Sequence, residues 1–425
     1  MESKEILEKY LEFYIERGHK QIPNVSLIPE NDPTLLYVNS GMFPLVPYLS
    51  GQVKHPMGKR LVNVQRAGRF GEDLENVGDA THTTTFHMMG NWSLGDYFKK
   101  EQLAWVYEFF VEVLGLDINK MYATVFKGDE SAPKDEESIE IIRQIFKKYG
   151  LEAKEGERIF PRGKEDNWWK RGDAPGELGG PDSEIFYFIG ANGSGLGKDP
   201  TQNQDEYLEI GNSVFMQYKK TVDEGWEALA QKNVDFGGGL ERIALAVQGK
   251  QDIYETDNLW PIIEKVQKLS GKKYGERESV TKSMRVIADH VRASVFLVMD
   301  GVVPSNKDQG YILRRLLRRM VRAGRILGVQ KDISVSLVST VCEAFSWLYP
   351  QLTEKQTHIS KLFAEEEEKF AKTLDRGAKI VSKMYTPENI GSKSVEDFAR
   401  SSFEVFQSVG YPSELFIEDV KDMGA

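Results

Sequence analysis

The sequence predicts an α+β fold: an antiparallel sheet flanked by helices over residues 1–250, followed by an all-α portion over residues 251–425. Three observations carry this. The first 250 residues are rich in Gly, Pro and aromatics and hold short β-like runs. Between Val62 and Lys99 a run ends at Arg66, a Gly-punctuated acidic loop follows, and a second run returns from Thr83 to Met89. After Gly249 the texture changes to long stretches with helical period. A boundary near residue 250 follows.

The elements in order are these. Ile6–Ile15 has helical period, and β-like runs follow at Leu35–Val38 and Leu61–Val64. The hairpin return comes next, then a helix over Leu103–Leu114, a strand at Met121–Phe126 and a helix over Ser138–Tyr149. Further strands are expected at Glu184–Ile189, Tyr207–Ile210 and Val214–Tyr218. The helical portion reads Leu259–Leu269, Met284–Met299, Tyr311–Ile326, Val335–Leu348 and Thr357–Met384. Within the last, the acidic Glu365–Glu368 reads as a solvated face.

The chain has 425 residues, 40% hydrophobic and 28% charged, with mean hydropathy -0.44. No apolar run approaches the roughly 20 residues a membrane span needs. The charged, helical N-terminus has no signal-peptide core. One cysteine, Cys342, excludes an internal disulfide and a cysteine-based zinc cluster, and a reducing cytoplasmic setting follows. The net charge is -10, yet Ser283–Arg325 holds nine Lys/Arg against three Asp, a local +6. From Tyr311, Ile312, Leu313, Leu316, Leu317, Met320 and Val321 fall on one helix side. Arg314, Arg315, Arg318, Arg319, Arg322 and Arg325 fall on the other with no acid among them. Such a face repels itself, and a phosphate-rich partner relieves the repulsion.

Two constellations suggest chemistry. Arg66 at the hairpin neck is a fixed, charged fork that can reach a phosphate held over the sheet. Gly237-Gly238-Gly239 permits close backbone approach, and Leu240-Glu241-Arg242 then opens a helix. Arg242 in the first turn opposes the helix dipole, which suggests a nearby anion. Gly193–Lys198 is no Walker loop, because Asn192 stands at the first required glycine and Asp199 follows the lysine. His82 and His87 read as hairpin histidines and His290 as a packing residue.

At these residues the sequence resembles class II aminoacyl-tRNA synthetases: GGGLERIA resembles their motif 3 and the Arg66 hairpin their motif 2. The wider text resembles the alanyl-tRNA synthetase family: DPTLLYVNSGM (Asp32–Met42), DLENVG (Asp73–Gly78), MGNWSLGDYFK (Met89–Lys99), SEIFY (Ser183–Tyr187), NSVFMQY (Asn212–Tyr218), RVIADHVRA (Arg285–Ala293) and GVVPSNKDQGYILRRLLRR (Gly301–Arg319). The match runs from about Glu12 to Pro412. The resemblance implies a class II synthetase-type sheet. It implies ATP-dependent activation of L-alanine and its transfer to the 3′ end of tRNA(Ala).

It also implies roles. Arg66 would hold the ATP α-phosphate and Arg242 the γ-phosphate, with Phe86 on the adenine and Gly239 beside the nucleotide. Asp235 would receive the alanine ammonium, among Met42, Trp169, Asn212, Val214 and Gly237. Glu209 and Glu184 would be magnesium ligands. Asn306 and Gln407 would face the acceptor-stem G·U pair, with Arg314, Arg315, Arg318 and Arg322 also on tRNA. Departures from the family pattern are the loop Arg69-Phe70-Gly71-Glu72, His87 in place of a glutamate, and Gln407 in place of an aspartate. Nothing matches the family's zinc-bearing editing domain, so no zinc is expected, and mischarging with glycine or serine is. A monomer is expected. The alternatives are a paralogue that passes alanine to another carrier and an inactive tRNA-binding module.

Overall fold

The computed structural model describes residues 1–425 apart from 30–34, 52, 72, 73, 75, 192, 224, 387, 388, 424 and 425. Asp32 of the first matching segment, Glu72 and Asp73 of the hairpin loop, and Asn192 therefore lie outside the described residues.

Nine strands form one sheet in the order β1-β2-β3-β9-β8-β7-β4-β5, with β6 paired to β7. They are β1 (Lys20–Gln21), β2 (Arg60–Gly68), β3 (Thr85–Leu94), β4 (Met121–Phe126), β5 (Ile159–Arg162), β6 (Trp168–Lys170), β7 (Leu178–Phe188), β8 (Tyr207–Lys220) and β9 (Trp226–Gly239). Pairing is antiparallel except for β1 with β2 and β4 with β5. Helices flank the sheet: α1 (Ser3–Glu16), α2 (Lys99–Glu108), α3 (Glu136–Lys148) and α4 (Leu240–Val247). From there the chain is helical: α5 (Trp260–Ser270), α6 (Glu278–Met299), α7 (Asp308–Ile326), α8 (Ile333–Phe345), α9 (Gln351–Met384), α10 (Val395–Val409) and α11 (Ser413–Asp422). Among the described residues no helix is long and apolar enough to cross a membrane.

Several expectations needed correction. Tyr207–Ile210 and Val214–Tyr218 are one strand, because Gly211 continues the ladder opposite Ile185. The glycine run forms the end of β9. Leu35–Val38 is not a strand. It is an irregular crossing in which Val38 bonds Leu27 and Gly68 singly, with no continuous partner. Glu366 and Glu367 are buried rather than solvated. Glu367 accepts from the Ile333 and Ser334 backbone N–H groups and so satisfies orphan donors at the start of α8.

The register of β2 against β3 decides which side chains can meet. Arg66 lies opposite His87, Ala67 opposite Phe86 and Gln65 opposite Met88. Successive residues alternate between faces. Leu61, Asn63, Gln65, Phe86, Met88 and Trp92 therefore share one face, and Val62, Val64, Arg66, His87 and Met89 share the other. The second face joins a continuous apolar core that runs from α1 through the sheet into α6–α11. The first face carries a smaller cluster of Met42, Leu61, Trp92, Val214 and Met216, with Trp169 against it.

Arg66 is thus on the helical side. Its Nη2 donates to Asp300 Oδ1 and Oδ2 at 2.9 and 3.0 Å, and its guanidinium lies 4.3 Å from the Tyr349 ring centre. Asp300 also accepts from the Leu27 N–H. Removing one partner of a buried pair strands the other charge. Asp300→Ala is therefore expected to cost about 3–5 kcal/mol in urea unfolding. A loss under about 1 kcal/mol would mean the pair carries no structural weight.

Candidate active site

A cavity of 230 Å³ opens on the face opposite Arg66, lined by Arg69, Phe86, Met88, Glu209, Gly239 and Arg242 among others. Its floor is glycine for a steric reason. A Cβ on Gly237 would come within 3.1 Å of Met88 Sδ, so a larger residue would require Met88 to shift. Gly239 ends β9 as the N-cap of α4, which places Arg242 in the first turn of that helix. Arg242 Nη1 meets Glu209 Oε2 at 3.2 Å, so the cation at the wrong helix end has a carboxylate beside it.

Glu209 belongs to an acidic group. Asp182 and Glu184 project from β7 on the same face as Asn212 and Val214 of β8. Burial, then the charges of Glu209 and Asp182, push the Glu184 carboxyl up to about 9. Burial lifts Asp182 to about 8, against a hydrogen bond from Asn167. The Thr124 hydroxyl donates to Glu184 at 2.9 Å. Hard carboxylate oxygens that resist ionisation through burial, and secondarily through one another's charge, suit a cation that would neutralise them. Among the described residues, no group of three or more His, Cys, Asp or Glu is arranged to hold a metal ion unaided. A cation here would need oxygens from a ligand as well.

Asp235 sits between Trp92 on β3 and Val214 on β8. Trp92 Nε1 donates to its Oδ1 at 2.7 Å. Burial nevertheless pushes Asp235 up to about 7. Next along the ladder, Asn212 and Gly237 are paired, and Asn212 Oδ1 is buried without a partner. Met42, Trp92 and Val214 pack together with Trp169 against them. A second cleft, of 1060 Å³, begins here and is lined by Met42, Trp169 and Arg69. The structure thus brings Met42, Phe86, Trp169, Glu184, Glu209, Asn212, Val214, Asp235, Gly237, Gly239 and Arg242 to one face of the sheet.

It does not bring Arg66. Reach to a phosphate over the sheet was expected of it, but strand parity turns it into the Asp300 pair. The guanidinium that enters from this hairpin is Arg69, which the sequence reading passed over as a departure in the loop. Parity was the available signal: three residues past Arg66, it falls on the other face.

The arginine helix also needs correction. Arg314 and Arg318 both meet the buried Glu366, at 3.4 and 2.9 Å, and Arg325 meets Asp375 at 3.6 Å. The acids absent from the arginine face of α7 are supplied by α9, which no periodicity within α7 could reveal. Asn306 accepts from Arg314 Nη1. Gln407 is exposed on α10. His290 is buried, and its Nδ1 lies 2.9 Å from Asp289. His87 is no ordinary hairpin residue, because its Nδ1 lies 2.9 Å from Glu241 at the base of α4.

A family model described as tRNA synthetases class II (A) matches residues 5–425. The chain is 40% identical to an alanine--tRNA ligase of Borrelia hermsii (strain HS1 / DAH), over all of this chain and 70% of that protein. It is 43% identical to one from Treponema denticola, over 99% of this chain and 69% of that one. Among solved structures, apo S. aureus histidyl-tRNA synthetase is similar over 58% of this chain and 65% of that one, at 14% identity and TM-score 0.36.

The Glu184 carboxyl yields a stability prediction. A folded-state value near 9 lies above the unfolded carboxylate range, so the folded protein holds a proton that the unfolded chain loses. The penalty is absent near pH 4 and grows as pH rises toward 9. Glu184→Gln removes it and should stabilise the ligand-free protein at pH 8 by at least about 1 kcal/mol, the worth of roughly one pKa unit. At pH 4 the gain should vanish. Thermal unfolding at both pH values checks the difference, and an equal effect at each would contradict the assignment.

Proposed function

The chain belongs to the alanyl-tRNA synthetase family of class II, and from that premise we propose that this face of the sheet activates L-alanine with ATP and passes it to the 3′ end of tRNA(Ala). The observation that carries the assignment to this site is Asp235: an acid held near neutrality by apolar walls, beside a glycine floor and an unpartnered amide oxygen.

An α-amino acid presents an ammonium and a carboxylate. Asp235 takes the ammonium, which replaces lost water with an ion pair and draws the carboxyl back to its charged form. Trp92 holds the carboxylate still by its indole N–H. Met42, Trp169 and Val214 close around the methyl group. Asn212 offers its free amide oxygen to the same ammonium. On the nucleotide side Phe86 presents a ring to adenine and Arg242 meets the triphosphate. As Arg242 turns to phosphate, Glu209 is released, and with Glu184 it would hold magnesium. Magnesium bound with the triphosphate supplies concentrated positive charge on its oxygens.

The alanine carboxylate oxygen then attacks the α-phosphorus, the bond to the bridging oxygen breaks, and pyrophosphate leaves. In the second step a ribose hydroxyl of the tRNA end attacks the alanyl carbonyl, its proton passes to the adenylate phosphate, and AMP leaves. Positioning and charge neutralisation carry both steps, so the site needs no strong base. The tRNA stem lies against Asn306, Gln407 and the α7 arginines, where phosphates replace Glu366 and Asp375 as partners of the guanidinium groups.

ATP–pyrophosphate exchange with each amino acid tests the first step, and charging of tRNA with and without its G·U pair tests the second. Exchange should depend on alanine, and its absence would refute the proposal. Asp235 sets the pH dependence. The ammonium binds the ionised carboxyl, which is largely present above pH 7 and is lost below it. KM for alanine should therefore rise roughly tenfold between pH 8 and pH 6. In Asp235→Asn affinity should be weak and nearly flat over this range. A flat profile in the unmodified protein would remove Asp235 from this role.

A further inference from the structure

The arginines of α7 divide between two neighbours. Arg314, Arg318 and Arg325 meet the acids of α9. Arg319 turns to α6, where its Nε donates to His290 Nε2 at 3.1 Å. Behind the ring the bonds continue. His290 Nδ1 lies 2.9 Å from Asp289 Oδ2. Asp289 in turn accepts from the Thr84 N–H at 2.8 Å and from the Thr84 hydroxyl at 2.7 Å. His290, Asp289 and Thr84 are fully buried. Thr84 closes the hairpin loop, because its carbonyl accepts the Arg69 N–H at 2.8 Å. Its neighbours Thr81, His82, Thr83 and Phe86 line the nucleotide cavity. We propose that Arg319 is a positioning residue for the nucleotide: through His290 and Asp289 it holds the hairpin wall against which ATP binds. The inference rests on the functional reading above and gives one arginine of the tRNA-facing helix a task on the other substrate.

The donors and acceptors fix how the chain of bonds runs. A carboxylate only accepts and a guanidinium only donates. Asp289 therefore takes the Nδ1 proton and Arg319 supplies a proton to Nε2, so the imidazole is neutral and held in one tautomer. Burial keeps the ring neutral against the pull of Asp289, and the charges of Arg319 and Arg315 add to that effect. Without the Arg319 donor, Nε2 is a buried acceptor with no partner, which favours rotation of the ring away from Asp289. Asp289 then loses one of its three donors, and its grip on Thr84 slackens because bonds in such a series reinforce one another.

Other bonds tie the loop to the scaffold independently. Arg285 Nη1 donates to the Gly78 carbonyl at 3.0 Å, and the Tyr254 hydroxyl donates to the His82 carbonyl at 2.9 Å. They keep the loop folded whatever Arg319 does. Loss of the Arg319 bond thus shifts the cavity wall and leaves the fold intact.

ATP–pyrophosphate exchange in the absence of tRNA tests this on the full chain, with Arg319→Lys, His290→Asn and the two combined, and thermal unfolding as a control. Arg319→Lys keeps the charge of the α7 face but not the Nε donor. His290→Asn keeps a donor near Nδ1 and has no acceptor at the place of Nε2. Each should raise the KM for ATP about fivefold and leave the KM for alanine within about twofold, the scale expected of contacts that couple distant sites. The double variant should be no worse than either single one, because both break the same series of bonds. Arg319 is half-buried, so Arg319→Lys should unfold close to the unmodified temperature. Should His290→Asn fail to fold, the KM split in Arg319→Lys decides alone. A KM for ATP within about twofold of the unmodified chain in Arg319→Lys would overturn the inference. So would an equal rise in both KM values, which marks general loosening, or additive losses in the double variant. Absence of alanine-dependent exchange in the unmodified chain would overturn the functional reading. The Kd for ATP by titration calorimetry then decides this inference separately: a weaker Kd in Arg319→Lys supports it, and an unchanged Kd or no ATP binding at all overturns it.

Discussion

The structure depends on one buried carboxylate. Glu241, in the first turn of α4, accepts from His87 N and lies against His87 Nδ1, at 3.0 and 2.9 Å, and from Arg292 Nη1 at 2.9 Å. Three chain segments distant in sequence therefore share one acceptor group: the returning hairpin strand, the helix after the glycine run, and α6. Arg292 also donates to the Thr85 carbonyl, next to the hairpin turn. Burial alone would raise this acid, but the hydrogen bonds of His87 and the charge of Arg292 hold it well below the usual carboxylate range. Arg242 is the next residue along, so the position of a guanidinium in the cavity is set by a pair formed beneath the sheet. A pocket on one face and a helical layer on the other are consequently one mechanical unit.

The titrating groups fall into two sets of opposite sign. Glu241 is depressed and His87 is held neutral by burial, so both favour folding more as pH rises out of the acid range. Asp182, Glu184 and Asp235 are raised, so in the empty site they favour folding less as pH rises. The first set lies under the sheet and holds the scaffold together. The second lies over it, and on the proposed function an ammonium and a cation would neutralise these groups and remove their cost.

Much of the fold was legible because it is written in local period. The long helices announced themselves by their apolar stripes, and β4 by a six-residue run with Thr124 as its one polar residue. Asp235 and Asn212 were proposed through text that resembles a known family, and Arg242 through its place in the first turn of a helix after a glycine run. What escaped was relational. The faces of β2 follow from its register with β3, which one strand's sequence does not state, so Arg66 was read onto the wrong side and Arg69 passed over. The glycines of β9 gave no strand signal because glycine is poor in strands, yet here Met88 leaves little room for a side chain at Gly237. Glu366 and Glu367 looked solvated because their partners lie on α7 and α8, far off in the chain.

The pairing of α7 with α9 has a consequence of another kind. A bare row of six arginines would condense on any polyanion, and a tRNA would have to compete with every other nucleic acid present. With Glu366 and Asp375 already seated among them, the row behaves as an ion exchanger loaded with its own counter-ion. A passing polyphosphate gains little unless its charges fall in register with several guanidiniums at once, because each contact must first displace a carboxylate fixed by the fold. If the row binds tRNA as proposed, indiscriminate attraction is traded for a threshold that a rigid, correctly spaced helix of phosphates can cross.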